Sequence, residues 1–355
     1  MTIWDDIALS IQLDQPIRKR DLRGLFARSR DLGGAIFHEV DFSGASFVDC
    51  VLARAKFIEC DLRGADFSNA DLDHATFVKC DLSQARLCAR NMRHDCWVQC
   101  DLSESSWEHA DMQVSSIVKS SLKSARFDAG TLERCTLIDD EFDGASVAGA
   151  KLTQCVVSPA DWHKVALGNM RADGVIFSNA NFHGQVMSGM HLRRCSMQGA
   201  DLSGVDLAGA DLTESNFYRT RLRQANLSNV NAPHALLLQA QLEQVDLSGA
   251  RLEGAIFQQA ALRDCRLDGA RLATSVWNKS KHENVSFQGA DLAYARWEHV
   301  QGEHLDFSDA NLDHAQFHAA NLCDTNFRGA SMRHIGKTDK ARLAAESRTL
   351  ALENE

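Results

Sequence analysis

The sequence predicts an all-β solenoid, a chain that turns a corner every five residues around a filled interior. Two observations predict it. Large apolar residues recur at every fifth position from Leu32 to Met332, and a column of small residues runs two positions ahead of them. The aromatic residues obey the same frame: 16 of 17 Phe and five of six Trp lie on it, with Phe26 and Trp4 as the exceptions. Of the 61 large positions, only Ala172, Ala232, His282 and Gly302 fail to be large and apolar. In the small column, 53 of 61 positions from 30 to 330 hold Ala, Cys, Ser, Gly, Thr or Val.

A period of five excludes the ordinary elements. On an α-helix five residues advance about 500°, so successive large residues drift by about 140° and share no face. On a flat strand an odd step moves each successive large residue to the opposite side. A chain that bends every fifth residue keeps the large and small columns inside and the residue between them outside. That intervening residue is often Asp or Asn, and Gly often follows the large one.

Runs such as Ala65-Asp66-Phe67-Ser68-Asn69, Ala200-Asp201-Leu202-Ser203-Gly204 and Ala210-Asp211-Leu212-Thr213 resemble the pentapeptide-repeat signature A-(D/N)-(L/F)-X-X. The resemblance covers roughly Leu22 to Met332. It implies a right-handed quadrilateral parallel β-helix with four pentads to the turn. By that analogy the chain holds about 15 coils spaced roughly 4.8 Å apart, a rod on the order of 70 Å long. The expected organisation is an N-terminal cap at 1–21, the solenoid at 22–332, and a C-terminal helix or tail at 333–355.

A stack of coils needs its ends covered, because an open coil exposes unpaired strand edges. At the N-terminus two readings stay open. Ile3, Trp4, Ile7, Ala8 and Ile11 fit one helix face, while Ile7, Leu9, Ile11 and Leu13 alternate as a strand does. Residues 338–352 read as a helix with Thr338 or Asp339 as N-cap. Leu343 and Leu350 form one narrow apolar stripe, either a lid contact or a dimer contact.

Three stretches strain the frame: around Arg90 and Asp95, from Pro159 to Val175, and from Val276 to Leu305. Trp277, His282, Trp297 and Gly302 form a candidate irregular patch there. An indole is too large for a leucine site in a tight coil, so the backbone is expected to bulge or the ring to escape. The five-residue frame survives all three stretches, which favours distorted coils over inserted loops.

Formal net charge is −10 over 355 residues, and the segment 32–332 alone carries −12. An acidic body excludes direct nucleic-acid binding through phosphate neutralisation and leaves a basic protein surface as partner. Along one face the residue before each large one reads Asp41, Asp61, Asp81, Asp101, Ser121, Glu141, Asp161, Asn181 and Asp201, and then Arg221, Gln241, Ala261 and Lys281. Asp41, Asp61, Asp81, Asp101, Glu141, Asp161 and Asp201 form the candidate partner-binding stripe.

Catalytic and cofactor motifs are not found. Eight of the 11 cysteines fill the small column (Cys50, Cys60, Cys80, Cys100, Cys135, Cys155, Cys195 and Cys265), where they read as small apolar filler rather than metal ligands. The 14 histidines show no metal-ligand spacing, and His163, His183 and His191 are expected in solvent. No secretion signal, no membrane-spanning run and an odd cysteine count point to a reducing cytoplasm.

The expected function is a non-enzymatic, cofactor-free scaffold for a protein partner. The resemblance offers three settings: an accessory or effector-loading role in type VI secretion, a DNA mimic acting on gyrase or topoisomerase IV, and a component of a secreted effector. A homodimer through the C-terminal helix is a further option.

Overall fold

The computed structural model describes residues 2–158 and 160–352, with side chains described as far as Glu346. The chain forms two compact units, Met1–Asn181 and Phe182–Glu355. Each is a parallel β-solenoid, with about fifteen coils between them.

In the first unit, helix α1 (Ile3–Leu13) precedes the coils. The helical reading of this segment holds and the strand reading does not, because Thr2 and Asp5 close a capping box and Asp14 ends the helix in the left-handed conformation. Only Ile7 and Ser10 of α1 are buried, which leaves Leu9 and Leu13 exposed. Coil pairing starts at Ile17, which pairs with Phe37, one pentad earlier than the expected boundary at residue 22. Every later pairing joins residue i to i+20: Phe37 to Phe57, Phe57 to Phe77, Phe77 to Trp97 and Trp97 to Ile117. A second ladder in the same unit runs through Met92, Met112, Leu132, Leu152 and Ala172.

In the second unit the in-register ladder runs Leu222, Leu242, Leu262, His282, Gly302 and Leu322. Coil pairing ends at Gly336, which bridges to Gln316. Helix α2 (Lys340–Leu352) follows. Asp339 caps it, accepting the N–H groups of Ala341 (2.9 Å) and Arg342 (3.1 Å).

Two kinds of corner sort the small column. At most alanine corners the alanine N–H closes the turn onto the carbonyl three residues back, as from Ala45 to Phe42 (2.8 Å) and from Ala65 to Leu62 (3.0 Å). After most three-residue strands the next inward residue is larger than alanine, Ala225 after Arg221–Arg223 being an exception. Cys60 follows Lys56–Ile58, Cys80 follows Thr76–Val78, and Ser120 follows Ser116–Val118. Seven of the eight inward cysteines follow such a strand, Cys50 being the other. All eight are free and buried, and their weak S–H donors meet backbone carbonyls, as Cys80 Sγ does that of Phe57 at 3.3 Å. At both kinds of corner the residue two past the large one is left-handed. Gly44 (φ 66°) adopts this without steric cost.

The tryptophans correct the sequence expectation. Trp97, Trp107, Trp277 and Trp297 are buried and in register, and Trp162 is buried too, so no indole escapes. Flat rings stack at the coil spacing, so an indole fits wherever its ladder neighbour is also flat. The rings of Phe77 and Trp97 are 3.9 Å apart and 1° from parallel, and those of Phe257 and Trp277 are 4.0 Å apart at 5°. Such pairs add to the ~1.5–3 kcal/mol that burying one large apolar side chain contributes.

The strained stretches resolve individually. At Arg90 the chain turns Ala89 inward and leaves Arg90 exposed, so the small column keeps a small residue one position early. Asp95 stays inward and buried. In the third stretch the coils stay in register, and the strands Lys281–Ser286 and Gln301–Asp306 run through the corner as six residues each. Pro159 lies outside the described residues.

Candidate protein-binding surface

The sequence often places an Asp or Asn before the large residue, and the structure supplies the reason. Its Oδ1 accepts the backbone N–H two residues on, which closes an Asx turn at the corner. Ser43 donates to Asp41 (2.9 Å), Arg63 to Asp61 (3.1 Å), Ser83 to Asp81 (3.0 Å), Ser103 to Asp101 (3.0 Å) and His163 to Asp161 (3.3 Å). Asparagine on the next coil then ties coils together, as from Asn181 to Asp161 and from Asn231 to Asp211 (2.9 and 3.0 Å). This structural duty was not legible as a reason in the sequence, only as a preference.

In the first unit the structure brings the stripe together. Asp21, Asp41, Asp61, Asp81, Asp101, Ser121 and Glu141 bridge in register, each to the next, and Asp161 bridges Asn181. The turns consume Oδ1 and leave Oδ2 outward. Cations two residues along offset part of the charge: Arg63 reaches Asp61 (2.5 Å) and Asp81 (3.8 Å), Arg23 reaches Asp21 and Asp41 (2.6 and 3.7 Å), and Lys123 reaches Glu141 (2.8 Å). The Arg63 hydrogen bond holds the Asp61 carboxyl below the usual range, outweighing partial burial. For Asp161, burial acts upward, and the His163 and Asn181 hydrogen bonds outweigh it. Asp81 has Arg63 at 3.8 Å, and Lys123 acts on Asp101 from the next coil.

In the second unit the stripe position continues only as Asp201. Its Oδ2 lies 3.3 Å from Arg221 on the next coil, so its charge is locally answered. The sign of the face changes at that residue.

The irregular patch is not a surface. Trp277 and Trp297 are fully buried and His282 is 4% exposed. The imidazole lies among the rings of Trp277, Trp297 and Phe287, 5.2 to 6.1 Å away, and its Nε2 meets Ser280 Oγ at 2.7 Å. Burial pushes its pKa down to about 3, so it is neutral. The two indoles offer a partner no contact, and only His282 and Gly302 reach the floor of a surface depression. Over the same coils lies an open depression of about 600 Å³ with Gln241, Glu243, Arg263, Lys281, Glu283 and Glu303 in its walls. Leu343 on α2 is half-buried, and the side chain of Leu350 lies outside those described. His163 is half-buried against Asp161, whereas His183 and His191 are exposed.

Among the described residues, four groups gather histidine and carboxylate ligand atoms. In one of them Lys19 and Lys79 already occupy Glu39 and Glu59 (3.4 and 3.3 Å), and in another Arg342 occupies Glu346 (2.8 Å). No described helix is long and apolar enough to cross a membrane.

Family models match two stretches of this geometry: "Pentapeptide repeat region" over residues 51–127, and "Pentapeptide repeats (8 copies)" over 176–229, 235–273 and 283–335. The chain belongs to the pentapeptide-repeat family. No curated protein matches it. Among solved structures it is similar to the plasmid-mediated fluoroquinolone resistance protein QnrB1, at 22% identity over 51% of this chain and 88% of that one, with a TM-score of 0.37. It is also similar to HetL, a pentapeptide repeat protein involved in heterocyst differentiation regulation from Nostoc, at 20% identity over 68% and 89%, TM-score 0.27. A third is a pentapeptide repeat protein of the Arabidopsis thaliana thylakoid lumen, at 34% identity over 29% and 68%, TM-score 0.24. The overlaps are loose, and the fold assignment rests on the family models and on the coils themselves.

Proposed function

We propose that this pentapeptide-repeat protein is a non-enzymatic, cofactor-free scaffold. Its first unit presents a preformed acidic face to a basic protein surface. The observation that supports this reading is the register: carboxylates from successive coils of Met1–Asn181 stand on one face with one oxygen outward and the other pinned by the turn. Such a face loses little freedom on binding, and like charges one coil apart gain from an opposing cation. The setting we propose is the bacterial cytoplasm. Type VI secretion components are the partner class to test first; gyrase and topoisomerase IV, through DNA mimicry, come second. Delivery as part of a secreted effector is the third setting, and homodimerisation through the C-terminal helix accompanies any of them.

Asparagine keeps the Asx turn and removes the charge, so the test is clean. The variant Asp41→Asn/Asp81→Asn/Asp101→Asn is expected to fold with wild-type circular dichroism. It is expected to lose at least about tenfold in affinity for the partner recovered from the native host, which corresponds to 1.4 kcal/mol. Equal recovery by wild type and variant would remove the acidic face from the account. A supercoiling assay separates the settings: no effect on gyrase at micromolar protein removes the DNA-mimic reading.

A further inference from the structure

At the end of the second unit, α2 is held against the last coils by a cluster of polar side chains. Arg342 donates to Glu346 Oε1 and Glu298 Oε2, both at 2.8 Å. Arg296 also faces Glu298, at 3.4 Å. The Nε2 atoms of His299 and His318 both converge on Glu346 Oε2, at 3.1 and 3.3 Å. Thr338 Oγ1 accepts the N–H of Ala319. Lys340 is exposed at the head of the helix.

The centre of this cluster is His318, which is only 5% exposed. Its Nδ1 accepts the backbone N–H of Asp339 at 3.2 Å. A backbone N–H can only donate, so Nδ1 carries a lone pair and the ring proton sits on Nε2, donated to Glu346. That tautomer is opposite to the one a metal ion on Nε2 needs, and Arg342 already sits on the shared carboxylate. The cluster is therefore a latch rather than a cation site.

We propose that α2 is a proton-operated strap, docked while His318 is neutral and released when His318 takes a second proton. The second proton must go on Nδ1, where it meets the N–H of Asp339 head-on. One buried hydrogen bond is lost, at the residue that caps α2, and the new cation has for a counter-ion only Glu346, a carboxylate that His299 and Arg342 already share. Protonation of His299 acts the other way, strengthening its pair with Glu346. His299 is about a third exposed, so solvent and salt weaken that gain. Hydrogen bonds from Arg342 hold Glu298 and Asp339 below the usual carboxylate range, and the contacts with Glu298 and Glu346 push Arg342 up, so these groups stay charged. Release would bare the His299 and His318 corner to a competing partner.

Hydrogen exchange on the full chain reads this directly. In the peptide spanning 338–346, protection corrected for intrinsic exchange is expected to fall at least about tenfold between pH 7.5 and 5.5. Protection of the coil peptides from 285 to 312 should hold. His318→Gln supplies a donor and an acceptor that do not titrate, so the fall should vanish; in His299→Gln it should persist. Protection that stays level or rises on acidification overturns the proposal, as does a fall that survives in H318Q. If H318Q leaves α2 undocked at both pH values, the release midpoint decides: its persistence in H299Q supports the strap, and its disappearance there overturns it.

Discussion

Leu305→Ala is expected to destabilise the second unit by about 3 kcal/mol, and adding Gly302→Leu should recover most of that loss. The two residues have exchanged roles. Gly302 occupies a position that elsewhere holds Leu or Phe, and Leu305 occupies a position that elsewhere holds Ala. Leu305 is 1% exposed. A Cβ on Gly302 would lie 2.7 Å from Leu305 Cδ1 and 2.9 Å from Leu322 Cδ2, so these leucines already fill the space the glycine leaves. Removing Leu305 alone opens a void beside a residue with no side chain. Gly302→Leu alone overpacks the coil and costs about 1–3 kcal/mol. The double variant restores the ordinary order of large and small. A urea-melt cycle should give a coupling of at least about 2 kcal/mol favouring the double variant. Additive single effects would show that the exchange is coincidental.

This pair also shows how far the sequence could be read. The five-residue frame assigned inside and outside correctly at Phe37, Phe57, Phe77 and Trp97, because burial period is a property of single positions. It marked Gly302 and Ala172 as failures because it scored each position alone. The structure shows compensation within a coil: Leu305 makes up for Gly302, and Met170, fully buried in the small column, stands beside Ala172. The tryptophans were misjudged for the same reason, since ring stacking is a property of pairs. In the stripe, the alignment of Asp41, Asp61, Asp81 and Asp101 was legible from the 20-residue register. That each carboxylate spends one oxygen on its own turn, and that Arg63 spans two of them, depends on side-chain direction, which a spacing does not carry. Arg90 was legible as a misfit, but its repair by Ala89 needs a local change of backbone path.

The second large effect is pH-dependent and comes from a carboxyl group in the small column. Asp140 is 7% exposed, accepts the N–H of Ser120 on Oδ1 at 2.8 Å, and has no partner for Oδ2 among the described residues. Burial pushes its pKa up to about 7, with the neighbouring Asp139 adding to the rise and the Ser120 hydrogen bond opposing it. The unfolded chain releases this proton near pH 4. Between about pH 4 and 7 the folded state therefore holds a proton that the unfolded state has lost. Stability falls as pH rises through that window, is undiminished below it, and has lost the full amount above it. Asp95 adds a smaller effect of the same sign: it is pushed up to about 6 by burial, against hydrogen bonds from Ser115 and Trp97. Asp140→Asn keeps the acceptor for Ser120 and removes the ionisation. It should match wild type near pH 4 and exceed it by about 2–4 kcal/mol at pH 8, since each pKa unit corresponds to about 1.4 kcal/mol. The difference in urea midpoint between the two proteins, followed from pH 4 to 8, isolates this group from carboxylates such as Asp61 and Asp201 whose shifts run downward. A gap that opens with pH and levels off above pH 7 is the expected curve. A gap that stays constant across the range would mean that Asp140 is ionised in the folded protein, paired with something the burial argument leaves out.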